Sequence, residues 1–221
     1  MVGSLNWCVR STRPDLSWDL IELSTKLKSA DVEDCNRVAK MLRRLKSKEV
    51  SLFYPDMGDL ENLELVVFSD AAFSNLDGGA GSTMAYIVFC KVDEKCCPIV
   101  WKSNKLQRVV QSSLAAEALA LSKGLLEAFY QKSFLQECLG VSAKITAYVD
   151  NKGLVENVYS TSLVEDRRLI LDLAVIKQML NKNEVENVIW VQGSDMLANV
   201  MTKRTADGTG LLKVMAEGKM E

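Results

Sequence analysis

The chain contains no histidine among its 221 residues, and this absence narrows the chemistry open to it. Without an imidazole group, Ser-His-Asp and Cys-His catalysis are excluded. A zinc site is disfavoured as well, because the six cysteines form no C-x-x-C pair and no histidine can complete a ligand set. Scattered cysteines of this kind are typical of reduced thiols inside the cell. Acid–base or metal chemistry therefore has to use Asp, Glu, Lys, Tyr or Cys side chains.

Long apolar runs and a net basic charge are also missing. No segment approaches the ~20 consecutive apolar residues of a membrane span, and the first residues lack the basic segment and apolar core of a secretory signal. We therefore expect no membrane partner and an intracellular location. The formal net charge of −2 gives no overall attraction to nucleic acid, so any such contact has to be local. Basic side chains cluster in residues 37–48 and 101–108.

The length and the apolar content of 48% suit one full domain with a smaller piece attached. Residues 1–50 carry apolar side chains at helical spacing and form the smaller piece. Residues 51–62 contain proline and glycine and are predicted to be a linker. The main domain is predicted over residues 63–205. Residues 206–221 form a C-terminal tail that either packs as a short helix or frays.

The main domain shows the element order βββαβαβα. Strands are predicted over residues 63–73, 82–92, 98–103, 143–150 and 184–193. Helices are predicted over residues 112–138, over 152–159 and 164–181, which together fill the second helical place, and over 195–203. Short connections make the first three strands an antiparallel meander, whereas strand–helix–strand units require parallel, right-handed crossovers. The fold class is therefore α/β: a mixed five-stranded sheet with helices on both faces, preceded by a short helical segment.

Three acidic residues stand at informative places in this scheme. Asp70 ends the run ELVVFSD and Asp150 ends the run KITAYVD, each late in its predicted strand, and Glu117 lies in an apolar helical stretch. Taken singly, they also suit a strand end, a turn cap or an exposed helix position. Together, the topology brings them to the edge where the antiparallel and parallel halves of the sheet meet. Converging carboxylates bind hard cations such as Mg²⁺, and two such ions can clamp the attacking and leaving oxygens of a phosphodiester.

Five motifs occur in the order of a known family: TRPD, FSDAAF, WKSNKLQRVVQSSLAAEALAL, YVDN and WVQGSDMLANVMTK. Together they resemble the ribonuclease H domain of a copia-type LTR retrotransposon Pol polyprotein. Residues 1–50 are similar to the C-terminal end of the preceding reverse transcriptase, around its thumb and connection. The polymerase palm is not in the chain, so no DNA synthesis is expected. The resemblance specifies the α/β sheet as ribonuclease H-like.

The resemblance implies an endoribonuclease that cuts the RNA strand of an RNA/DNA hybrid with two Mg²⁺ ions, or Mn²⁺ as a substitute. Asp70, Glu117 and Asp150 match three of the four acidic residues that bind metal in the family, and Asn199 stands at the fourth position, where the family has aspartate. Residues implied to contact substrate are Lys102, Lys105, Arg108, Ser112 and Ser113. The implied partners are the hybrid and the rest of a Pol polyprotein, in the cytoplasm, a virus-like particle or the nucleus.

Asn199 predicts impaired cleavage, because an amide offers an oxygen but no negative charge to a metal ion. Asp195, four residues earlier on the predicted last helix, is an alternative ligand. A second hypothesis is a catalytically inactive nucleic-acid- or protein-binding module derived from a retrotransposon. Hybrid cleavage in Mg²⁺ distinguishes the two hypotheses.

Overall fold

The computed structural model describes residues 1–47, 49–79, 81–161 and 166–220. Its helices are α1 (Val2–Ser11), α2 (Ser17–Thr25), α3 (Val32–Ser47), α4 (Ser113–Leu139), α5 (Lys152–Tyr159), α6 (Arg167–Asn181) and α7 (Thr209–Glu217). Its strands are β1 (Glu64–Leu76), β2 (Gly81–Val92), β3 (Lys95–Lys105), β4 (Lys144–Val149) and β5 (Asn187–Trp190). Short 3-10 turns lie at Pro14–Leu16, Asp77–Gly79 and Asn199–Met201.

The strands form one mixed sheet in the order β3-β2-β1-β4-β5. β1 is antiparallel to β2 and parallel to β4, and β4 is parallel to β5. Tight turns join the first three strands, whereas helices connect the parallel ones, because parallel neighbours need a crossover. The predicted α/β class, the mixed five-stranded sheet with helices on both faces and the preceding helical segment are confirmed.

One face of the sheet packs against α4, α5 and α6. Val67 and Val88 of the sheet share a fully buried cluster with Leu121 and Leu125 of α4. α4 lies close to the strands at Gly124, where an added Cβ atom would stand 3.0 Å from Cγ1 of Val67. The helix begins where the Ser112 hydroxyl accepts a hydrogen bond from the Ala115 amide at 3.1 Å. These contacts fix the position of the α4 N-terminus at the sheet edge.

The opposite face is covered by the 3-10 turn at Asn199–Met201 and by α7. Phe68 and Phe89 pack there with Met201, Leu211 and Met215, all of which are buried. The amide of Cys96 donates to the carbonyl of Gly218 at 2.8 Å, which ties the end of α7 to β3. Of the two alternatives for residues 206–221, the described residues show the packed helix.

The N-terminal helices pack on this same face, beside β3. Leu5, Val9 and Leu16 form a small buried cluster with residues of α2 and α3. The Trp101 indole N–H donates to the Val9 carbonyl at 3.0 Å, which joins α1 to β3. Trp101 is therefore both a core residue and the contact that anchors the N-terminal helices to the sheet.

Two predicted helices differ from the structure. The helix predicted over 164–181 is observed as α6 from Arg167, and its first two predicted residues lie outside the described residues. The helix predicted over 195–203 is wrong, because only a 3-10 turn at Asn199–Met201 forms. Met196 and Met201 of this segment are both buried against the sheet. Tertiary packing of this kind overrides the local helix propensity of the segment.

Candidate metal centre

Asp70, Glu117 and Asp150 converge at the edge of the sheet. Phe68 of β1 pairs with Tyr148 of β4, so Asp70 and Asp150 follow this pair two residues further along the neighbouring strands. Glu117 reaches the same place from the start of α4. One oxygen of each carboxylate lies within 4.8 Å of the others. We refer to these three residues as the acid cluster.

The acid cluster is largely buried. Asp70 is 0% exposed and Glu117 is 4% exposed. The Oε2 atom of Glu117 is buried and has no hydrogen-bond partner among the described residues. A buried polar atom without a partner is costly, and a buried unpaired charge costs more. The cluster therefore has the character of a cation site, in which an ion supplies the missing interaction.

Burial is also the main influence on the acidity of the cluster. It raises the pKa of the Asp70 carboxyl, although the Lys203 ammonium and the Thr202 hydroxyl act in the opposite direction. Burial raises the pKa of the Glu117 carboxyl well above its usual range, and the neighbouring Asp70 and Asp150 carboxylates add to this rise. A bound cation would reverse these shifts, because it favours the charged form of each acid.

Lys203 and Thr202 complete the site, and sequence reasoning missed both. The Lys203 Nζ atom lies 3.0 Å from Oδ1 of Asp70 and 3.6 Å from Oδ2 of Asp150. The Thr202 hydroxyl donates to Oδ2 of Asp70. Burial lowers the pKa of the Lys203 ammonium, but the facing Asp70 and Asp150 carboxylates outweigh burial and leave it raised. The signal was present as the final TK of the LANVMTK motif, three and four residues after Asn199.

Asn199 lies beside the acid cluster, and both the oxygen and the nitrogen of its amide form a hydrogen bond. Its Oδ1 accepts a hydrogen bond from Lys203 Nζ at 2.5 Å, and its Nδ2 donates to the Gly193 carbonyl at 2.6 Å. The expectation that Asp195 stands one helical turn before Asn199 is wrong, because no helix forms there. Asp195 is exposed in a turn, where its carboxylate accepts a hydrogen bond from the Ser194 hydroxyl.

The five residues predicted to bind substrate do not lie together in the structure. Ser113 lines the cleft that contains Glu117 and Asp150, together with Phe73 and Lys152. Ser112 caps the N-terminus of α4.

Lys102, Lys105 and Arg108 lie elsewhere. Lys102 and Lys105 line a separate cleft of about 600 Å³ between β3 and the helices α1 and α2. Arg108 forms an ion pair with Asp172 of α6. The structure therefore brings Ser113, but none of these three basic residues, to the cleft of the acid cluster.

The Glu117→Gln substitution is expected to stabilise the chain by about 1–3 kcal/mol near pH 8 in EDTA, because the neutral amide removes the cost of a buried carboxylate beside Asp70 and Asp150. In the parent, unfolding exposes a carboxyl with an ordinary pKa of 4.5, whereas the folded state holds its proton to higher pH. Stability of the parent therefore falls as pH rises above that value. The Glu117→Gln variant should show a smaller decrease.

Urea unfolding between pH 4.5 and 8 measures this effect. Glu137→Gln, an exposed position on the same helix, is the matched control and should change little. Equal stability of the parent and Glu117→Gln at pH 8 would show that the buried carboxyl carries no such cost.

The chain is 30% identical over 208 residues to the retrovirus-related Pol polyprotein from transposon RE2 of Arabidopsis thaliana, which covers 92% of the chain and 14% of that protein. It is 28% identical to the corresponding polyprotein from transposon RE1, over 92% of the chain and 13% of that protein. The chain thus spans about a seventh of the length of these relatives. No protein-family profile matches it.

Solved structures with a similar fold include the N-terminal RNase H domain of a Mycobacterium tuberculosis protein, at 15% identity and a TM-score of 0.48, over 64% of the chain and 91% of that structure. LC11-RNase H1, solved in complex with an RNA/DNA hybrid, aligns at 16% identity and a TM-score of 0.43, over 58% of the chain and 84% of that structure. Among the described residues, no helix has the length and apolarity needed to cross a membrane.

Proposed function

We propose that this chain, a ribonuclease H-like domain whose homologues are plant retrovirus-related Pol polyproteins, hydrolyses the RNA strand of RNA/DNA hybrids with divalent metal ions. The observation that carries the proposal is the acid cluster. Three carboxylates from β1, α4 and the residue after β4 approach within 4.8 Å, and one of their oxygens is buried with no partner in the described part of the chain.

The donor set fits a hard divalent cation. Asp70, Glu117 and Asp150 offer only carboxylate oxygens, the ligands that Mg²⁺ and Mn²⁺ prefer. These three residues would hold the metal, and Asn199 would offer an amide oxygen from the adjacent turn. When bound, the ions lower the pKa of a water nucleophile and stabilise negative charge on the phosphate. Two ions are expected from the resemblance to the copia-type domain.

The chain's own residues orient this site. The Thr202 hydroxyl and the Lys203 ammonium hold the two oxygens of Asp70 in place. Lys152 and Ser113 stand at the rim of the same cleft, where an ammonium and a hydroxyl suit the phosphates of a nucleic-acid backbone. The more distant Lys102 and Lys105 would contact phosphates further along a hybrid, an electrostatic contribution that depends on salt.

Asn199 is the feature that limits the proposed activity. It supplies no charge to the cluster, and its amide is held by Lys203 and Gly193. We therefore expect slow cleavage with hybrid binding largely retained. The remainder of a Pol polyprotein is the proposed protein partner, within an intracellular compartment such as a virus-like particle.

A second candidate is a binding module without catalysis. The observation that favours it is the ammonium of Lys203, which already neutralises part of the acid cluster. Such a module would bind a hybrid through the basic residues of its two clefts and leave the RNA intact.

The test uses a hybrid with a 5′-labelled RNA strand, with Mg²⁺ or Mn²⁺, and a duplex of the same sequence in DNA as the control. The proposed function predicts divalent-dependent cleavage of RNA in the hybrid alone, suppressed by EDTA. Hybrid binding by fluorescence anisotropy with no cleavage in either ion, even by Asn199→Asp, would favour the binding module instead.

A further inference from the structure

A lysine ammonium occupies part of the acid cluster. Lys203 Nζ lies within 3.6 Å of one oxygen of each aspartate, Asp70 and Asp150. Its third contact is the Asn199 Oδ1 atom at 2.5 Å. Three oxygen ligands around one cation form the kind of environment that a divalent ion would use at the same place.

The acids of the cluster differ in how many of their carboxylate oxygens have a hydrogen-bond or ion-pair partner. Both oxygens of Asp70 are engaged, one by Lys203 and the other by Thr202. Glu117 is only 4% exposed, and its Oε2 atom is buried with no hydrogen-bond partner among the described residues. The Asp70–Asp150 side of the cluster is therefore more fully compensated than the Glu117 side.

We propose that Lys203 is the resident cation of the acid cluster, a monovalent group that a divalent ion must displace or share oxygens with in order to bind between Asp70 and Asp150. This inference rests on the proposed function only in taking the cluster to be a divalent-cation site. In this inference Lys203 lowers the affinity of the cluster for a divalent ion, whereas the three acids raise it.

Asn199 has a defined part in this arrangement. Its amide oxygen, fixed by the bond from Nδ2 to the Gly193 carbonyl, holds the ammonium without attracting it as strongly as a carboxylate would. The charge of Lys203 is therefore paired mainly with the two aspartates of the cluster. A carboxylate at position 199 would compete for the ammonium and free oxygens of Asp70 and Asp150 for metal.

The experiment measures Mn²⁺ binding to the full chain by electron paramagnetic resonance of the free ion, without nucleic acid. Lys203→Met and Lys203→Gln remove the charge and nearly keep the side-chain length. Both are expected to bind Mn²⁺ at least about tenfold more tightly than the parent, because a unit positive charge near a divalent ion is repulsive. Lys203→Arg should stay within about threefold of the parent, because it keeps the charge. Lys213→Met, at an exposed site on α7, is the matched control for the change in net charge.

The outcomes separate this inference from the proposed function. Tighter binding by either neutral variant supports a resident cation, and the glutamine variant decides if the methionine variant does not fold. Binding equal to or weaker than that of the parent overturns it, since a lysine that merely held the site together would lower affinity when removed. In that case the cluster still binds metal and the proposed function stands. Absence of Mn²⁺ binding in every variant, including Asn199→Asp, overturns both.

Discussion

Asn199→Asp is expected to raise Mg²⁺-dependent cleavage of an RNA/DNA hybrid by about 100-fold or more. The substitution adds a fourth carboxylate beside Asp70, Glu117 and Asp150, and the loss or gain of one electrostatic group at a reacting centre typically has an effect of this size. The new carboxylate also attracts Lys203, whose ammonium already contacts position 199 at 2.5 Å. Both changes favour metal binding.

Single-turnover cleavage of the labelled hybrid, across a series of Mg²⁺ concentrations, measures this effect. The rate at saturating Mg²⁺ and the Mg²⁺ concentration at half-saturation separate chemistry from metal affinity. Asn187→Asp, an exposed position on β5, makes the same change in net charge away from the site and should leave the rate unchanged. A rate for Asn199→Asp within about twofold of the parent would refute the view that Asn199 limits activity.

Asp70→Asn is expected to reduce cleavage by at least about 1,000-fold in the Asn199→Asp background, the larger end of the range for one such group. Asp70 is the most enclosed member of the acid cluster, at 0% exposure, and the member that both Lys203 and Thr202 orient. Removal of its charge leaves Glu117, Asp150 and the carboxylate introduced at position 199 to hold the metal. Hybrid binding should be nearly unchanged.

Asp195→Asn is the matched control for this result. Asp195 is exposed in its turn and lies outside the acid cluster, so its substitution should leave cleavage within about twofold. Cleavage retained by Asp70→Asn at the rate of its background would show that the measured nuclease activity does not come from this cluster. The same assay in Mn²⁺ tests whether a softer ion compensates for the missing charge.

The sheet and its acids were predictable because local patterns determined them. The alternation and β-branched residues of β1, the helical spacing in α4 and the lengths of the connections together define strand order and direction. Once β1 and β4 are neighbours, Asp70 within β1 and Asp150 just after β4 must lie side by side. Glu117 follows from the same reasoning, since a helix that crosses between β3 and β4 begins at this edge.

The surroundings of the acids were not predictable in the same way. Lys203 lies in a segment with a helical pattern, but Met196 and Met201 are drawn into the core and leave only a 3-10 turn there. Which side chain faces the acids then depends on tertiary contacts rather than on periodicity. A lysine in sequence is ordinarily a solvated surface residue, so the TK at the end of the LANVMTK motif did not by itself place Lys203 against the acids.

Packing of the chain ends also depended on distant contacts. The Trp101 indole bond to Val9 joins segments that lie 92 residues apart in sequence. The amide of Phe53 similarly donates to the carbonyl of Met215, so the predicted linker and the C-terminal helix α7 lie against each other. Hydrogen bonds between such distant residues leave no periodic signal in either segment.

Crystals of the chain grown with Mn²⁺ and measured at the manganese absorption edge would show whether the three acids share a metal ion. An anomalous peak is expected about 2.0–2.6 Å from carboxylate oxygens of Asp70, Glu117 and Asp150. Well-occupied manganese bound only at other surface carboxylates, with these three side chains lacking any shared peak, would contradict it.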